Sequence, residues 1–396
     1  MSALRLASAS MMPTAEHTQS LVLPQQRSTE SVELFTGRTI ARTDYFLPVM
    51  PIVGCVLAGA VGDALGAAVE FKPMDKIRGM HGPQGVTEME DLYGAPGMIT
   101  DDTQMLLFTL EGLLLAKRGG GNPVFAIQAA YQRWLHTQDK QMRPDGMVEE
   151  APKGGWLVDL PAMNALRAPG NTCLTALRSA RKGRASSLER PLNDSKGCGV
   201  VMRTAPIALW SHDPSVVFEI AARTGAYTHG HPSGYLSGGV MAVLVQQLLL
   251  GEKDLVRAAQ RARAELVRWR GHEEQAEALD RAIRIGTGKA RITPELIESE
   301  LGAGWVGEEA LAIGLAAALA GKDMREALLL AVNHSGDSDS TGSVCGNLLG
   351  ARDGVDAIPQ DWLRQLELVA MMEWLCTEAE QAFAPAGSGW GGQGWG

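Results

Sequence analysis

The sequence predicts an all-α fold, a compact single-domain bundle of about a dozen helices. Apolar and small residues recur at helical spacing along most of the chain, and alternating runs that would indicate strands are few. Aromatic residues make up only 5% of the chain, whereas glycine is abundant with 46 residues. This composition differs from that of a β-sandwich or β-barrel, and no internal repeat indicates a solenoid.

The two ends of the chain differ from the part between them. Residues 1–45 are rich in Ser, Thr, Gln and Pro and lack a sustained period, which predicts a flexible N-terminal extension. Residues 385–396 form a Gly/Trp-rich tail of low complexity. The predicted domain therefore spans 46–384.

The first predicted helix, at 53–69, lies in a longer apolar stretch. Gly54, Ala58 and Gly62 recur every four residues, a stripe that lets another helix approach closely. The stretch raises the question of a membrane span, but Asp63 lies inside it, and an ionisable group at mid-membrane is costly. We therefore interpret the stretch as a buried helix.

Helices follow as far as the C-terminal tail. A helix at 103–117 ends before Gly119–Gly121, since glycine terminates helices readily, and Asn122-Pro123 opens the next helix, which runs to Leu135. The same periodicity predicts further helices at 172–182, 214–225, 234–250, 253–270, 273–284, 294–301, 307–320, 323–333, 341–350 and 360–382.

Charge and cysteine usage limit the function classes. The net charge of −9 argues against a nucleic-acid binder, which usually shows a basic face. An anionic small molecule is still compatible, because backbone amides at helix N-termini bind phosphate without lysine or arginine. The five cysteines include no C-x-x-C pair, so neither a zinc site nor a disulfide framework is indicated. A cytoplasmic location is the simplest expectation.

Two acidic clusters stand at the start of predicted helices. Asp101 and Asp102 occur in TDDTQ, and Asp337 and Asp339 occur in DSDST. A helix N-cap explains one acid in each cluster but not two. Adjacent carboxylates repel unless a cation neutralises them, and four carboxylates match two divalent ions such as Mg²⁺ or Mn²⁺, which prefer oxygen ligands. An EF-hand is the alternative for DSDST, but the later glycine and glutamate are not at loop spacing.

Five motifs occur in a specific order. They are GAVGDALGAAVEF at 59–71, ITDDTQM at 99–105, GCGVVMRTAPIAL at 197–209, GWVGEEALAIGL at 304–315 and NHSGDSDSTGSVCGNLLG at 333–350. This series resembles the ADP-ribosylglycohydrolase family, of the dinitrogenase-reductase-activating glycohydrolase and ADP-ribosylarginine hydrolase type. The resemblance covers residues 50–375. It implies an all-α domain that uses two Mg²⁺ or Mn²⁺ ions to cleave the bond between ADP-ribose and a protein side chain.

The resemblance also implies roles for individual residues. The implied metal ligands are Thr100, Asp101, Asp102, Asp337, Asp339 and Ser340. The implied catalytic residues are Glu70, Asp102, Asp339 and Asp159. Glu70 matches a carboxylate that some members use at the centre, although a surface residue at a helix end is the alternative. Asp63 fits a buried structural role as well as a place near the site, and Asp159, in WLVDLP, is the loosest match.

A glycine-rich segment is the candidate for binding the diphosphate of ADP-ribose. Glycine permits close approach of the backbone, so Gly197, Cys198 and Gly199 are predicted to cradle phosphate, with an ordinary turn as the alternative. The family resemblance also implies that His229, in THGHP, lies near the ligand, the alternative being a hydrogen-bonded core histidine. Arg203 is expected in the core.

The implied reaction is hydrolysis at C1 of ribose, through a transition state that resembles an oxocarbenium ion. Metal ions would orient the sugar and a water, and Glu70 or Asp159 would move the proton. DSDSTG resembles the arginine-directed members, so ADP-ribosyl-arginine in modified proteins is the leading substrate. The alternative is an immunity protein that blocks an ADP-ribosyltransferase toxin through residues 1–45, and the two functions can coexist. No nucleic acid or membrane partner is expected.

Overall fold

The computed structural model of the protein describes residues 51–142 and 150–384. These residues form helices and no β-strand, which confirms the all-α prediction. The α-helices are α1 Val53–Gly66, α2 Met74–His81, α3 Asp101–Gly119, α4 Pro123–Met142, α5 Asn171–Arg181, α6 Pro214–Ala226, α7 Pro232–Leu249, α8 Leu255–Leu266, α9 Glu273–Gly286, α10 Pro294–Glu300, α11 Gly307–Ala320, α12 Met324–Val332, α13 Ser338–Asp353, α14 Gln360–Leu363 and α15 Val369–Phe383. Short 3-10 helices connect them at Leu157–Asp159, Pro161–Met163, Cys198–Arg203, Ala205–Trp210 and Val355–Ala357.

Several helix predictions needed correction. The helix predicted to end at Leu135 runs on to Met142, and the one predicted at 253–270 ends at Leu266. Helix α2 was not predicted from the sequence. The single helix predicted at 360–382 is two helices, because Leu368 has a left-handed backbone (φ 62°) between α14 and α15. Helices α3 and α13 begin two and three residues earlier than predicted, so that Asp101, Asp102 and Asp339 lie in first helical turns.

Helices α1 and α13 pack at very close range in the core. A Cβ atom added at Gly62 would lie 2.0 Å from the carbonyl oxygen of Gly342, and one added at Gly346 would lie 2.0 Å from that of Ala58. The small-residue stripe of α1 therefore makes the close helix contact predicted for it. Helix α1 is buried along nearly its whole length, and no described helix has the length and apolar character that a membrane crossing requires.

This close packing positions the candidate site. At the C-terminal end of α1, a Cβ atom added at Gly66 would lie 2.5 Å from the amide nitrogen of Asp339. The first turn of α13 thus lies directly against the last turn of α1. Since Asp63 is in α1 and Glu70 follows it, the two segments bring acidic residues together that are far apart in the sequence.

The predicted N-terminal extension 1–45 and the Gly/Trp-rich tail 385–396 lie outside the described residues. The predicted domain boundaries at 46 and 384 therefore remain predictions.

Candidate metal centre

Three carboxylates from two segments meet at the centre of the site. Glu70, Asp337 and Asp339 each offer an oxygen atom, and these oxygens all lie within 4.8 Å of one another. Asp337 and Asp339 are buried, while Glu70 is half-buried at the end of the segment that follows α1. Such a group of oxygen ligands suits a hard divalent cation.

The N-terminus of α3 brings a second pair of acids to this centre. Thr100 caps the helix, since its hydroxyl oxygen accepts a hydrogen bond from the amide of Asp102 at 3.2 Å. The Asp101 amide donates to the carbonyl of Arg167 at 2.9 Å, and one Asp101 carboxylate oxygen accepts from the Gly170 amide at 3.2 Å. Asp102 Oδ2 is buried and has no hydrogen-bond partner within the described structure.

The hydrogen bonds show which of the acidic side chains in the two clusters act as helix caps. In α3 the threonine is the cap, so the two aspartates that follow are not needed for that purpose. In α13 the N-cap residue is Asp337, but its side chain makes no capping bond. One of its carboxylate oxygens instead accepts from the Cys198 thiol at 2.8 Å. Asp339 Oδ1 accepts from the Ser340 amide at 2.9 Å, so one acid of the α13 pair does bond to its own helix. Capping leaves Asp101, Asp102 and Asp337 unexplained.

Asp63 has a structural role beside the centre. Its carboxylate accepts hydrogen bonds from the Thr100 amide at 3.0 and 3.1 Å and from the Thr103 amide at 3.2 Å, and also from the Thr103 hydroxyl. These bonds tie the first turn of α3 to α1 and fix the direction in which Asp101 and Asp102 point. Burial, followed by the charge of Asp339, raises the pKa of Asp63 to about 7.

Negative charge accumulates in the centre at a low local dielectric constant. Burial is the main cause that raises the pKa of Asp101, Asp102, Asp337 and Asp339 above the ordinary range. Glu70 reaches a pKa of about 11, first through burial and then through the charges of Asp339 and Asp337. Like charges held this close favour either protonation or a cation. The unpartnered oxygen of Asp102 and the all-oxygen donor set fit Mg²⁺ or Mn²⁺.

The glycine-rich segment predicted to cradle phosphate lies next to the acids. Two of its amides already donate within the protein: that of Gly197 to the Ser195 hydroxyl at 3.4 Å and that of Cys198 to the Trp305 carbonyl at 3.1 Å. Behind the segment lies the buried His229, whose Nε2 would be 3.3 Å from a Cβ atom added at Gly197. Arg203 is fully buried, as predicted.

The structure does not join Asp159 to the acidic centre. Asp159 ends the 3-10 helix Leu157–Asp159 with an exposed side chain, and no hydrogen bond or ion pair within the described ranges connects it to the cluster. Its proposed role as a base thus rests on the sequence resemblance alone.

An aromatic pair beside the centre was missed by the sequence reasoning. The rings of Phe71 and Trp305 stack with centroids 5.1 Å apart, although both side chains are exposed. Phe71 directly follows Glu70 and has a left-handed backbone (φ 62°), an uncommon conformation for a bulky residue. Its amide donates to the Gly336 carbonyl at 3.3 Å, which joins this segment to the loop before α13. No sequence signal marks a left-handed phenylalanine.

Comparisons with known proteins agree with this architecture. The model of the ADP-ribosylglycohydrolase family matches residues 51–389. The ADP-ribosyl-[dinitrogen reductase] glycohydrolase of Rhodospirillum rubrum is 27% identical over 80% of this chain and 90% of its own. The ADP-ribosylarginine hydrolase Tri1 of Serratia proteamaculans is 24% identical over 83% of this chain and 78% of its own. A solved ADP-ribosylglycohydrolase-related protein complex is 28% identical, with a TM-score of 0.61, over 84% of this chain and 98% of that one.

Proposed function

The chain belongs to the ADP-ribosylglycohydrolase family, and on that premise we propose that it removes ADP-ribose from modified arginine side chains of proteins with the help of two divalent metal ions. Family membership and the names of its relatives indicate glycohydrolase activity. The observation that carries the metal dependence is the buried acidic centre, in which Glu70, Asp337 and Asp339 converge and Asp102 Oδ2 has no partner.

Six residues are proposed to hold the metal ions: Thr100, Asp101, Asp102, Asp337, Asp339 and Ser340. Bound ions would supply Lewis acidity and fix the hydroxyl groups of the ribose. The support is that the four carboxylates are buried, that burial and then neighbouring charges raise the pKa of Asp102 and Asp339, and that the side chains of Asp101, Asp102 and Asp337 do not cap their helices. The choice between Mg²⁺ and Mn²⁺ is not encoded in this donor set, because both ions prefer oxygen ligands.

Glu70 is proposed to move the proton at the scissile bond. Its carboxylate lies among the acids of the centre yet is only half-buried, so a substrate can reach it. A carboxyl group in this position can transfer a proton to a leaving nitrogen. In the metal-free protein, burial and then the charges of Asp339 and Asp337 raise the pKa of Glu70. Asp159 stays a second candidate for proton transfer on the basis of the sequence resemblance.

Arginine is proposed as the modified side chain. The support is the DSDSTG motif together with two relatives that carry the name ADP-ribosylarginine hydrolase, from Serratia proteamaculans and Pseudomonas putida. Blocking of a toxin through residues 1–45 concerns residues outside the described ranges, and it remains a prediction from the sequence.

A single assay tests the proposal. The protein is incubated with ADP-ribosyl-arginine and ADP-ribosyl-serine substrates after treatment with EDTA, and then again with added Mg²⁺ or Mn²⁺. We expect release of ADP-ribose from the arginine substrate only after metal is restored. Full activity after exhaustive chelation would contradict the metal centre, and release from serine alone would contradict the assignment of arginine.

A further inference from the structure

Two stacked aromatic side chains join the segment that carries Glu70 to the part of the chain that carries Asp337. The rings of Phe71 and Trp305 lie 5.1 Å apart between centroids and are inclined by 19°. Their exposures are 69% and 39%, so burial in the core does not account for their position. Aromatic rings at this distance attract each other beyond the effect of the area they bury, which makes the stack a contact between the two segments.

Trp305 lies on a part of the chain that is held against Asp337. The Ala303 carbonyl accepts a hydrogen bond from the Asp337 amide at 2.9 Å. A Cβ atom added at Gly304 would lie 3.3 Å from the Cβ atom of Asp337. The Trp305 carbonyl accepts from the Cys198 amide at 3.1 Å, on the other side of the segment. The backbone of Trp305 therefore has a fixed place next to a proposed metal ligand.

The turns between α1 and α2, which carry Glu70, are attached to this part of the chain at two points. The Phe71 amide donates to the Gly336 carbonyl at 3.3 Å, which is long for such a bond, and the Met74 amide donates to the Ser335 hydroxyl oxygen at 2.9 Å. Phe71 directly follows Glu70, so its attachment has the larger influence on where the Glu70 carboxylate lies. Because its backbone bond is long, the ring carries much of that attachment.

The backbone conformation of Phe71 supports a role for its ring. Its φ of 62° is left-handed, which a bulky residue rarely adopts. Such a conformation persists only where other contacts outweigh its cost. Glycine or asparagine would follow the same path more easily, since both tolerate the left-handed region. The phenylalanine is therefore explained by the contact that its ring makes.

We propose that Phe71 and Trp305 are positioning residues whose stacked rings hold the Glu70 carboxylate in the acidic centre, where its oxygen lies within 4.8 Å of those of Asp337 and Asp339. Ionised carboxylates at this distance repel one another, so the position of Glu70 needs a restraint from outside the cluster. The chemistry of Glu70 rests on the function proposed above, whereas its position does not.

Four variants test the stack. Phe71→Asn removes one ring but keeps a residue that tolerates the left-handed backbone, and Trp305→Leu removes the other ring. Phe71→Tyr keeps a ring on Trp305. The matched control is Trp374→Leu, because Trp374 is 47% exposed and pairs with Trp156 at 5.4 Å between centroids, but it lies in α15, outside the acidic centre. The exposure of both rings makes folded variants the expectation, and thermal unfolding checks it.

The measurements separate the position of Glu70 from the binding of the ligand. Electron paramagnetic resonance of the full-length protein titrated with Mn²⁺ reports the metal affinity. Steady-state kinetics with an ADP-ribosyl-arginine substrate reports kcat and KM, and calorimetry reports the affinity for ADP-ribose. Phe71→Asn and Trp305→Leu are also combined with Glu70→Gln, so that a double-mutant cycle shows whether the rings act through Glu70.

We expect Phe71→Asn and Trp305→Leu each to weaken Mn²⁺ binding and to lower kcat by about tenfold, because an aromatic pair contributes up to about one factor of ten. KM and the affinity for ADP-ribose should change far less. In the Glu70→Gln background neither change should have a further effect on Mn²⁺ binding or kcat. Phe71→Tyr should retain most of the wild-type values, and Trp374→Leu should match the wild type.

Three results would overturn the inference. Equal losses with and without Glu70→Gln would show that the rings do not act through Glu70. Unchanged Mn²⁺ affinity and kcat in Phe71→Asn would remove the positioning role. A loss of affinity for ADP-ribose alone would make the pair a contact of the ligand. Absence of glycohydrolase activity in the wild-type protein would contradict the proposed function, while the Mn²⁺ affinities would still decide whether the rings position Glu70.

Discussion

Helix α3 buries carboxylates in two places, and the two environments differ in one respect. Glu111, in the middle of the helix, is fully buried and fully partnered. Asp102, in the first turn, is nearly as buried, but its Oδ2 has no partner within the described structure. The two residues are nine positions apart, about 14 Å along the helix.

The environment of Glu111 is typical of a structural charge. One carboxylate oxygen accepts two hydrogen bonds from Arg133, at 2.6 and 3.0 Å, and the other accepts from the amides of Trp156 and Leu157 at 2.6 and 2.9 Å. Both carboxylate oxygens therefore have donors. The ion pair joins α3 to α4, and the two amide bonds join α3 to the segment at 156–157. These partners are enough to account for the burial of the charged Glu111 side chain.

The environment of Asp102 is different, because its nearest charged neighbours are other acids. The charges of Asp339 and Asp101 add to burial in raising its pKa. A protein has no structural reason to bury repelling carboxylates, since each one costs free energy that an apolar side chain would not. This difference supports the proposal that the partner of Asp102 is a bound cation.

The largest expected effect that sharpens this comparison comes from Asp102→Asn. This change removes a proposed metal ligand but relieves repulsion, so kcat/KM should fall about 1,000-fold or more, about 4 kcal/mol at 1.36 kcal/mol for each factor of ten. The melting temperature of the metal-free variant should equal or exceed that of the metal-free wild type. Steady-state kinetics and thermal unfolding in EDTA check the two parts. A variant that turns over normally but melts earlier would make Asp102 a structural residue.

A smaller effect, of the opposite kind, is expected for Glu111→Gln. The change leaves the guanidinium of Arg133 buried without its counter-charge, which costs about 3–5 kcal/mol of stability. Activity per folded molecule should change far less than in Asp102→Asn, because Glu111 touches none of the proposed ligands. Denaturant unfolding measures the loss. The double variant Glu111→Leu, Arg133→Met is the control and should recover part of the stability, whereas no recovery would mean that the backbone bonds to Trp156 and Leu157 dominate.

The sequence predicted the parts of this comparison that depend on local patterns. The small-residue stripe of α1 and the paired acids before α3 and α13 are visible because their spacing within a few residues carries the signal. The sequence could not predict that Asp63 anchors the first turn of α3, nor that Thr228 links Arg203 to His229, because those contacts join residues far apart in the chain. The hydrogen bond from the Cys198 amide to the Trp305 carbonyl could not be predicted for the same reason.

The sequence also could not predict where the backbone adopts a left-handed conformation. The left-handed residues Phe71 and Leu368 place the aromatic pair and divide the last predicted helix, yet neither is a glycine, and nothing in their side chains favours that conformation. In the same way, the roles assigned to Glu70 and to the six proposed ligands come from resemblance and proximity, and only substitution and metal-binding experiments test them.

The smallest expected effect that tests the comparison is the pH dependence of stability without metal. In the folded protein the pKa of Asp63 is about 7 and that of Glu70 about 11, above the ordinary values of 3.8 and 4.5. Between the ordinary and the raised values the folded state binds more protons than the unfolded state. The free energy of unfolding must then fall as the pH rises, by about 1.4 kcal/mol per pH unit for each extra proton.

Both groups contribute to this loss between pH 4.5 and 7, and only Glu70 of the two contributes above pH 7. Thermal unfolding in EDTA should show a falling melting temperature over both ranges, and Glu70→Gln should flatten the slope above pH 7 in particular. Saturating Mn²⁺ or Mg²⁺ should reverse the trend, because protons compete with metal for the same carboxylates and acid then weakens the bound state. A metal-free protein whose stability is flat or rises from pH 5 to 7 would show that groups of the protein itself compensate the acids of the centre, and the contrast between Asp102 and Glu111 would disappear.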